Sequence, residues 1–279
     1  MKITTKHFLA LALIVSIIAC GKPNVKDYTI SNTIVDDNYT PIYTAKQLTD
    51  RLKSSDEDSL SDGFDQFFSD WNKEIEPNSL DFIFQNDTIN NVFNVYKALY
   101  KPLDLLKLGD WEWGNELNSK CKFVAVQNKI YYAVLITESL EDTDMNFAKR
   151  DSIINFRPPI DLDKSKVLYL TDEYDKALND FLGSESTELG ERNLMNPSMP
   201  KGNSEKRYEK IRSFIPVLHG HWGGYWHLDT HPSVGNIVFN NTMTKAKVEF
   251  RVGYQGGEAT LEKKGKEWLI KESRATWIE

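Results

Sequence analysis

The stretch AKVEFRVGYQGGEATLEKKGKEWLI, residues 246–270, decides the architecture that we predict for this chain. Apolar and charged residues alternate from Lys245 to Tyr254, a pattern typical of a strand with one buried face and one solvent-exposed face. We predict that Gly256-Gly257 turns the chain, that Gly265 turns it again, and that Trp268 to Trp277 forms the last strand. The sequence therefore predicts a meander of antiparallel strands.

The segments before this meander suggest two domains. Residues 205–214 are predicted to form a helix. Residues 184–203 combine Ser, Asn, Gly and Pro without periodicity, which is typical of a linker or a long surface loop. We therefore predict an N-terminal α+β domain over 41–183 and a C-terminal α+β domain over 204–279.

The C-terminal pattern resembles a known superfold. One helix followed by long antiparallel strands, with Lys264-Gly265-Lys266-Glu267-Trp268 before the last strand, is similar to cystatin-like and NTF2-like domains. The resemblance covers roughly residues 204–279 and implies a helix against a curved four-stranded antiparallel sheet. Because this superfold contains enzymes, inhibitors and scaffolds, the resemblance implies no single function.

Two amphipathic helices are predicted in the N-terminal domain, each with an apolar face at helical spacing. The apolar face of the first comprises Leu60, Phe64, Phe67, Phe68, Trp71 and Ile75. The face of the second comprises Ile89, Val92, Phe93, Tyr96, Leu99 and Tyr100. Asp87 is the predicted N-cap of the second helix. We interpret both aromatic faces as core.

A small antiparallel sheet is predicted to follow these helices. Residues 122–126 and 130–136 flank Gln127-Asn128-Lys129 and are interpreted as a hairpin. Residues 110–114 and 167–170 are further predicted strands. Thr171 is predicted to cap a helix that ends at Gly183.

The N-terminus has the order of a secretory signal: basic residues, an apolar run over 8–19, and a small residue before Cys20. This order resembles a bacterial lipobox, and the resemblance implies cleavage of residues 1–19 and attachment of lipid, including palmitate, to Cys20. Residues 20–40 are then a tether. Gly21, rather than Asp, after the lipidated Cys implies the outer membrane. A plain signal peptide is the alternative.

Composition restricts the partners. The formal net charge of −7 argues against general nucleic-acid binding, which needs clustered Lys and Arg. With only two cysteines, acylation of Cys20 would leave Cys121 without a disulfide partner. We predict that Cys121 is a buried, inert thiol.

Four of the five histidines lie in the segment HGHWGGYWHLDTH, residues 219–231. The candidate ligand or metal cluster is His219, His221, His227, Asp229 and His231. The candidate aromatic binding surface is Trp222, Tyr225 and Trp226. On two strands, the i, i+2 spacing would allow a Zn²⁺ site with an activated water, or His/Asp general-base chemistry. A structural role in an aromatic loop and a surface for a ligand or sugar stay open as alternatives.

The sequence contains none of the common hydrolase, nucleotide-binding or metalloprotease motifs. We therefore favour a non-enzymatic envelope lipoprotein that binds an envelope protein or a glycan through its C-terminal domain. The alternatives are a metal-dependent or His/Asp hydrolase built on residues 219–231 and an inhibitor or immunity-type lipoprotein. No cofactor is expected other than the candidate Zn²⁺.

Overall fold

The structure is a computed structural model. It describes residues 31–34, 47, 57–101, 108, 121–141, 146–162, 164–182, 209–219, 226–228, 232–253 and 255–278. The predicted signal segment 1–19, Cys20, the predicted strand over 110–114 and the predicted linker 184–203 lie outside these residues.

The described residues contain both helices and strands, and the fold is α+β. The helices are α1 (Glu57–Glu74), α2 (Leu80–Ile83), α3 (Asp87–Leu99) and α4 (Asp172–Leu182). The strands before α4 are β1 (Ser31–Ile34), β2 (Phe123–Gln127), β3 (Lys129–Leu135), β4 (Phe147–Ile154) and β5 (Lys166–Leu170). The strands after it are β6 (Val217–His219), β7 (Trp226–Leu228), β8 (Ser233–Phe239), β9 (Lys245–Val252), β10 (Gln255–Lys264) and β11 (Glu267–Ile278).

A mixed sheet of seven strands dominates the described part of the chain, in the order β1-β4-β3-β8-β9-β10-β11. The β1–β4 and β3–β8 pairs are parallel and the other pairs are antiparallel. Strands from both predicted domains, 41–183 and 204–279, thus lie side by side in one sheet. The predicted tether 20–40 also contributes to it, because its residues 31–34 form β1.

The predicted hairpin at Gln127-Asn128-Lys129 is wrong, although both of its strands exist. Only Asn128 separates β2 from β3, which is too short a connection for the two strands to pair as a hairpin. Instead β2 pairs in parallel with β5 in a separate two-stranded sheet, and β3 joins the large sheet. Burial on both faces explains why β2 is apolar throughout its first four residues.

The predicted helices are confirmed, with one change of cap. Phe64, Phe68 and Trp71 in α1 are fully buried, and α1 ends before Pro77 as its sequence requires. The N-cap of α3 is Asn86, whose side chain accepts a hydrogen bond from the Ile89 amide, and the predicted cap Asp87 is instead the first helical residue.

The helix predicted after Thr171 is α4, and the Thr171 hydroxyl accepts a hydrogen bond from the Tyr174 amide at 3.4 Å. Such a contact satisfies one of the amides that a helix start leaves unpaired. Of the predicted helix over 205–214, the described residues 209–211 are helical, whereas residues 212–214 form a turn, so the helix ends three residues earlier than predicted.

The predicted C-terminal meander is confirmed as the antiparallel strands β9, β10 and β11, and Gly265, at φ 63°, makes the last turn; β8, which the alternation did not predict, pairs antiparallel with β9 and adds a fourth strand. The turn predicted at Gly256-Gly257 is wrong, because both glycines lie inside β10. The chain turns earlier, at Gly253, whose φ of 58° favours glycine.

One face of the meander is covered by α3, which contacts β8 and β11. The buried side-chain amide of Asn91 connects α3 to the meander. Its oxygen accepts a hydrogen bond from Nε1 of Trp268 at 3.2 Å and another from Nζ of Lys263 at 2.9 Å. The larger of the two hydrophobic clusters in the described part of the chain runs from α1 through α3 to β11. Within the described part of the chain, the opposite face of the meander is therefore the one available for a site.

Candidate functional site

The meander face opposite α3, here called the outer face, carries polar side chains in rows that cross four strands. Strand pairing aligns the first row as Ser233, Arg251, Gly256 and Trp277. It aligns the second row as Asn236, Glu249, Glu258 and Arg274. The two rows are two residues, or about 7 Å, apart on β9 and β10, and a bulge makes them three residues apart on β8 and β11, so the rows are neighbours.

The first row ends in an unusual pair. The indole of Trp277 lies over Gly256, where a Cβ atom would be only 1.9 Å from Cε2 and 2.1 Å from Nε1 of the ring. Only glycine leaves room for the ring there, and a ring in this position covers backbone that the glycine leaves bare. Trp277 is still 51% exposed, so much of its surface remains open to solvent.

A groove of about 440 Å³ lies along these rows. Its lining, in the part of the chain that the structure describes, includes Ser233, Glu249, Arg251, Glu258, Thr276 and Trp277. We call it the sheet groove. Its volume lies within the range of about 300–1,000 Å³ that is common for small-molecule sites.

Two carboxylates meet in the sheet groove, because Glu249 and Glu258 are direct partners on β9 and β10. Glu258 is held by cations on both sides: one of its oxygens lies 2.5 Å from Nζ of Lys247 and the other 2.5 Å from Nη2 of Arg274. These hydrogen bonds, the one from Lys247 first, lower the pKa of the Glu258 carboxyl. Glu258 is thus a fixed anion with both oxygens engaged.

Glu249 differs from its partner. It is exposed and makes no ion pair or side-chain hydrogen bond with the other residues that the structure describes. Beside it, Arg251 donates from Nε to the Gly253 carbonyl at 2.9 Å, which anchors the guanidinium near the groove. The groove therefore combines an acceptor, a donor and an aromatic surface, the composition of a binding site for a polar ligand.

No protein-family model, curated protein or solved structure matches this chain.

The histidine segment is described only in part. His219 ends β6, and Trp226 and His227 begin β7, which pairs antiparallel with β6. His219 pairs with Trp226 and His227 pairs with Leu218, so the two histidines occupy neighbouring register positions. His221, Trp222, Tyr225, Asp229 and His231 lie outside the described residues. The metal cluster and the aromatic surface of this segment stay predictions.

The described residues contain no group of three or more His, Cys, Asp or Glu side chains suited to a metal ion. They do contain a buried polar cluster on β3 and β4. Tyr132 donates to Oδ2 of Asp151 at 3.1 Å, and Nζ of Lys149 lies 3.0 Å from the same oxygen. Because Lys149 offsets the charge of the buried Asp151, the cluster has a structural explanation.

Cys121 is a buried thiol, as predicted, and its Sγ lies 3.6 Å from the Arg212 carbonyl oxygen. Burial raises its pKa to about 11, so the thiolate that reacts with electrophiles is scarce at neutral pH.

Among the described residues, no helix is both long enough and apolar enough to cross a membrane.

Sequence reasoning did not find the sheet groove. Its charged residues fit the solvent-exposed face of any amphipathic strand. The pairing of Glu249 with Glu258 depends on a strand register that only the structure gives. One signal was present but misread. A glycine within a strand marks either a bulge or a close approach of another group, and Gly256 is the partner of Trp277 next to a bulge.

Proposed function

We propose that this protein is a membrane-anchored envelope lipoprotein that binds another envelope component without catalysing a reaction. The observation that carries the proposal is the sheet groove, where the half-exposed Trp277 and Glu249, which has no ion-pair partner among the described residues, lie on one face of a well-packed sheet. Large aromatic side chains beside polar groups are the residues that dominate binding sites.

The anchor would be lipid on Cys20, in keeping with the lipobox-like sequence that ends there. The acidic composition favours this arrangement, because a net charge of −7 gives no general electrostatic attraction to anionic lipid or to nucleic acid. We propose the outer membrane as the site of anchoring, since Gly21 follows the cysteine.

We also propose that β8 to β11 are the sheet of a cystatin-like or NTF2-like unit in which α3, from outside residues 204–279, takes the place of the helix predicted over 205–214. The support is the antiparallel order of the four strands and the packing of α3 against β8 and β11. In such an arrangement the helix covers one face, and the other is free to bind.

Site-specific photo-cross-linking in bacterial cells tests this function. A photoreactive amino acid at Leu269, an exposed residue on β11 outside the groove lining, should give a discrete cross-linked product. The product should disappear when Trp277→Ala is added. It should persist with Lys271→Ala, an exposed substitution on the same strand that does not line the groove. Absence of any product, or a product unaffected by Trp277→Ala, would contradict binding through the groove.

A further inference from the structure

We infer that the ligand of the sheet groove is a neutral sugar ring that stacks on Trp277. This inference rests on the proposed binding function and names its ligand class. It goes beyond that function because a protein, a lipid or a peptide would equally satisfy a general binding role.

The stacking surface comes from the Trp277–Gly256 pair. Three atoms of the indole would lie 1.9–2.2 Å from a Cβ at position 256, so one side of the ring is turned toward the Gly256 backbone. The ring is 51% exposed, so its other side faces solvent. An indole held in this way offers a flat apolar surface, which suits the C–H face of a pyranose.

The polar groups around the indole complement hydroxyl groups. Glu249 supplies carboxylate oxygens that can only accept hydrogen bonds, and Arg251 supplies N–H groups that can only donate them. A sugar hydroxyl both donates and accepts, so adjacent hydroxyls can satisfy both residues together. The hydroxyls of Ser233 and Thr276 line the same groove and extend this set.

The balance of charge argues against ligands with a strong charge. An anionic ligand would approach the carboxylates of Glu249 and Glu258, and a cationic ligand would approach Arg251 with Lys247 and Arg274 nearby. Each approach meets like charges as well as opposite ones at short range, so repulsion offsets part of the attraction. A neutral polyhydroxylated ring does not meet this repulsion.

Isothermal titration calorimetry on the full-length protein in a sugar-free zwitterionic detergent tests the inference. The probes are maltohexaose, cellohexaose, xylohexaose and chitohexaose, each titrated up to 10 mM. We expect at least one of them to bind, with a change in tryptophan fluorescence. Trp277→Ala should weaken that binding at least tenfold, and Trp277→Phe should weaken it less. Lys271→Ala, an exposed substitution on the same strand and outside the groove lining, should leave it unchanged.

Two results would overturn the inference: no binding of any of the four oligosaccharides, or binding that Trp277→Ala leaves intact. The first result together with a Trp277-dependent cross-link in cells would reject the sugar and keep the proposed binding function. Failure of both experiments would reject the groove as a binding site altogether. Circular dichroism of Trp277→Ala checks that the variant is folded before either comparison is made.

Discussion

The pairing of Trp277 with Gly256 predicts that Gly256→Ala destabilises the protein. In Gly256→Ala, the new Cβ would lie 1.9 Å from the indole, so the ring must move by about 1.5 Å or more to reach ordinary van der Waals contact at 3.4 Å. Elsewhere in a strand, glycine to alanine stabilises a protein by about 0.4–1 kcal/mol, since alanine restricts the unfolded chain. Position 256 should show the opposite effect.

The magnitude follows from the contact that is lost. About half of the Trp277 side chain is covered, and a tryptophan side chain buries up to about 250 Å², so displacement exposes on the order of 100 Å². At about 25 cal/mol per Å² this exposure costs about 2.5 kcal/mol, and the alanine effect offsets part of it. We expect Gly256→Ala to lower the free energy of unfolding by about 1–2 kcal/mol.

Urea unfolding, followed by far-UV circular dichroism, measures this change. In a Trp277→Ala background the obstruction is gone, so Gly256→Ala should there be neutral or stabilising, with a coupling energy of about 2 kcal/mol. Gly235→Ala is the control, because its new Cβ would meet only the Glu249 carbonyl at an ordinary 3.7 Å. Equal or greater stability of Gly256→Ala in the wild-type background would refute the reasoning.

Three further predictions concern other parts of the chain. Asn91→Ala should lower the free energy of unfolding in urea by about 2–3 kcal/mol, because the ammonium of Lys263 and the buried indole N–H of Trp268 would lose their acceptor. A loss below about 0.5 kcal/mol would show that these hydrogen bonds do not hold α3 against the meander. If the histidine segment binds zinc, elemental analysis should find about one metal ion per chain, lost in both His221→Ala and His231→Ala; a metal-free wild type would end the metal-dependent form of the hydrolase hypothesis. Cys20→Ser should abolish incorporation of labelled palmitate and release the protein from membranes, and continued labelling would contradict lipidation at this residue.

The sequence predicts those elements whose periodicity is strong. The apolar faces of α1 and α3 and the alternation of β9 are local patterns, and burial in one core is their direct consequence. The pairing of β2 with β5 and of β3 with β8 is not local, because it joins segments dozens of residues apart. A nearly continuous apolar strand such as β2 fits a hairpin and a buried parallel pair equally well. The sheet groove also depends on non-local pairing, because its rows of side chains form only when four strands are in register.

Substitutions of Glu249 and Glu258 distinguish a structural role from a binding role in the groove. Both are glutamates at opposed positions, but only Glu258 is fixed by Lys247 and Arg274. Glu258→Gln should therefore lower stability at pH 7. Because the folded-state pKa of Glu258 is depressed, this difference from wild type should be present above pH of about 4.3, the ordinary pKa of glutamate, and vanish as the pH falls further.

Glu249→Gln removes the same charge from an exposed side chain without a partner in the described part of the chain, so it should change stability by less than about 0.5 kcal/mol at pH 7. If the carboxylate binds the ligand, the same substitution should weaken oligosaccharide binding severalfold. A residue whose loss leaves the fold intact and impairs binding has a role in recognition, whereas the loss of Glu258 would impair both together. Should Glu249→Gln leave both stability and binding unchanged, Glu249 would be an ordinary surface residue, and recognition would have to depend on Trp277 and Arg251.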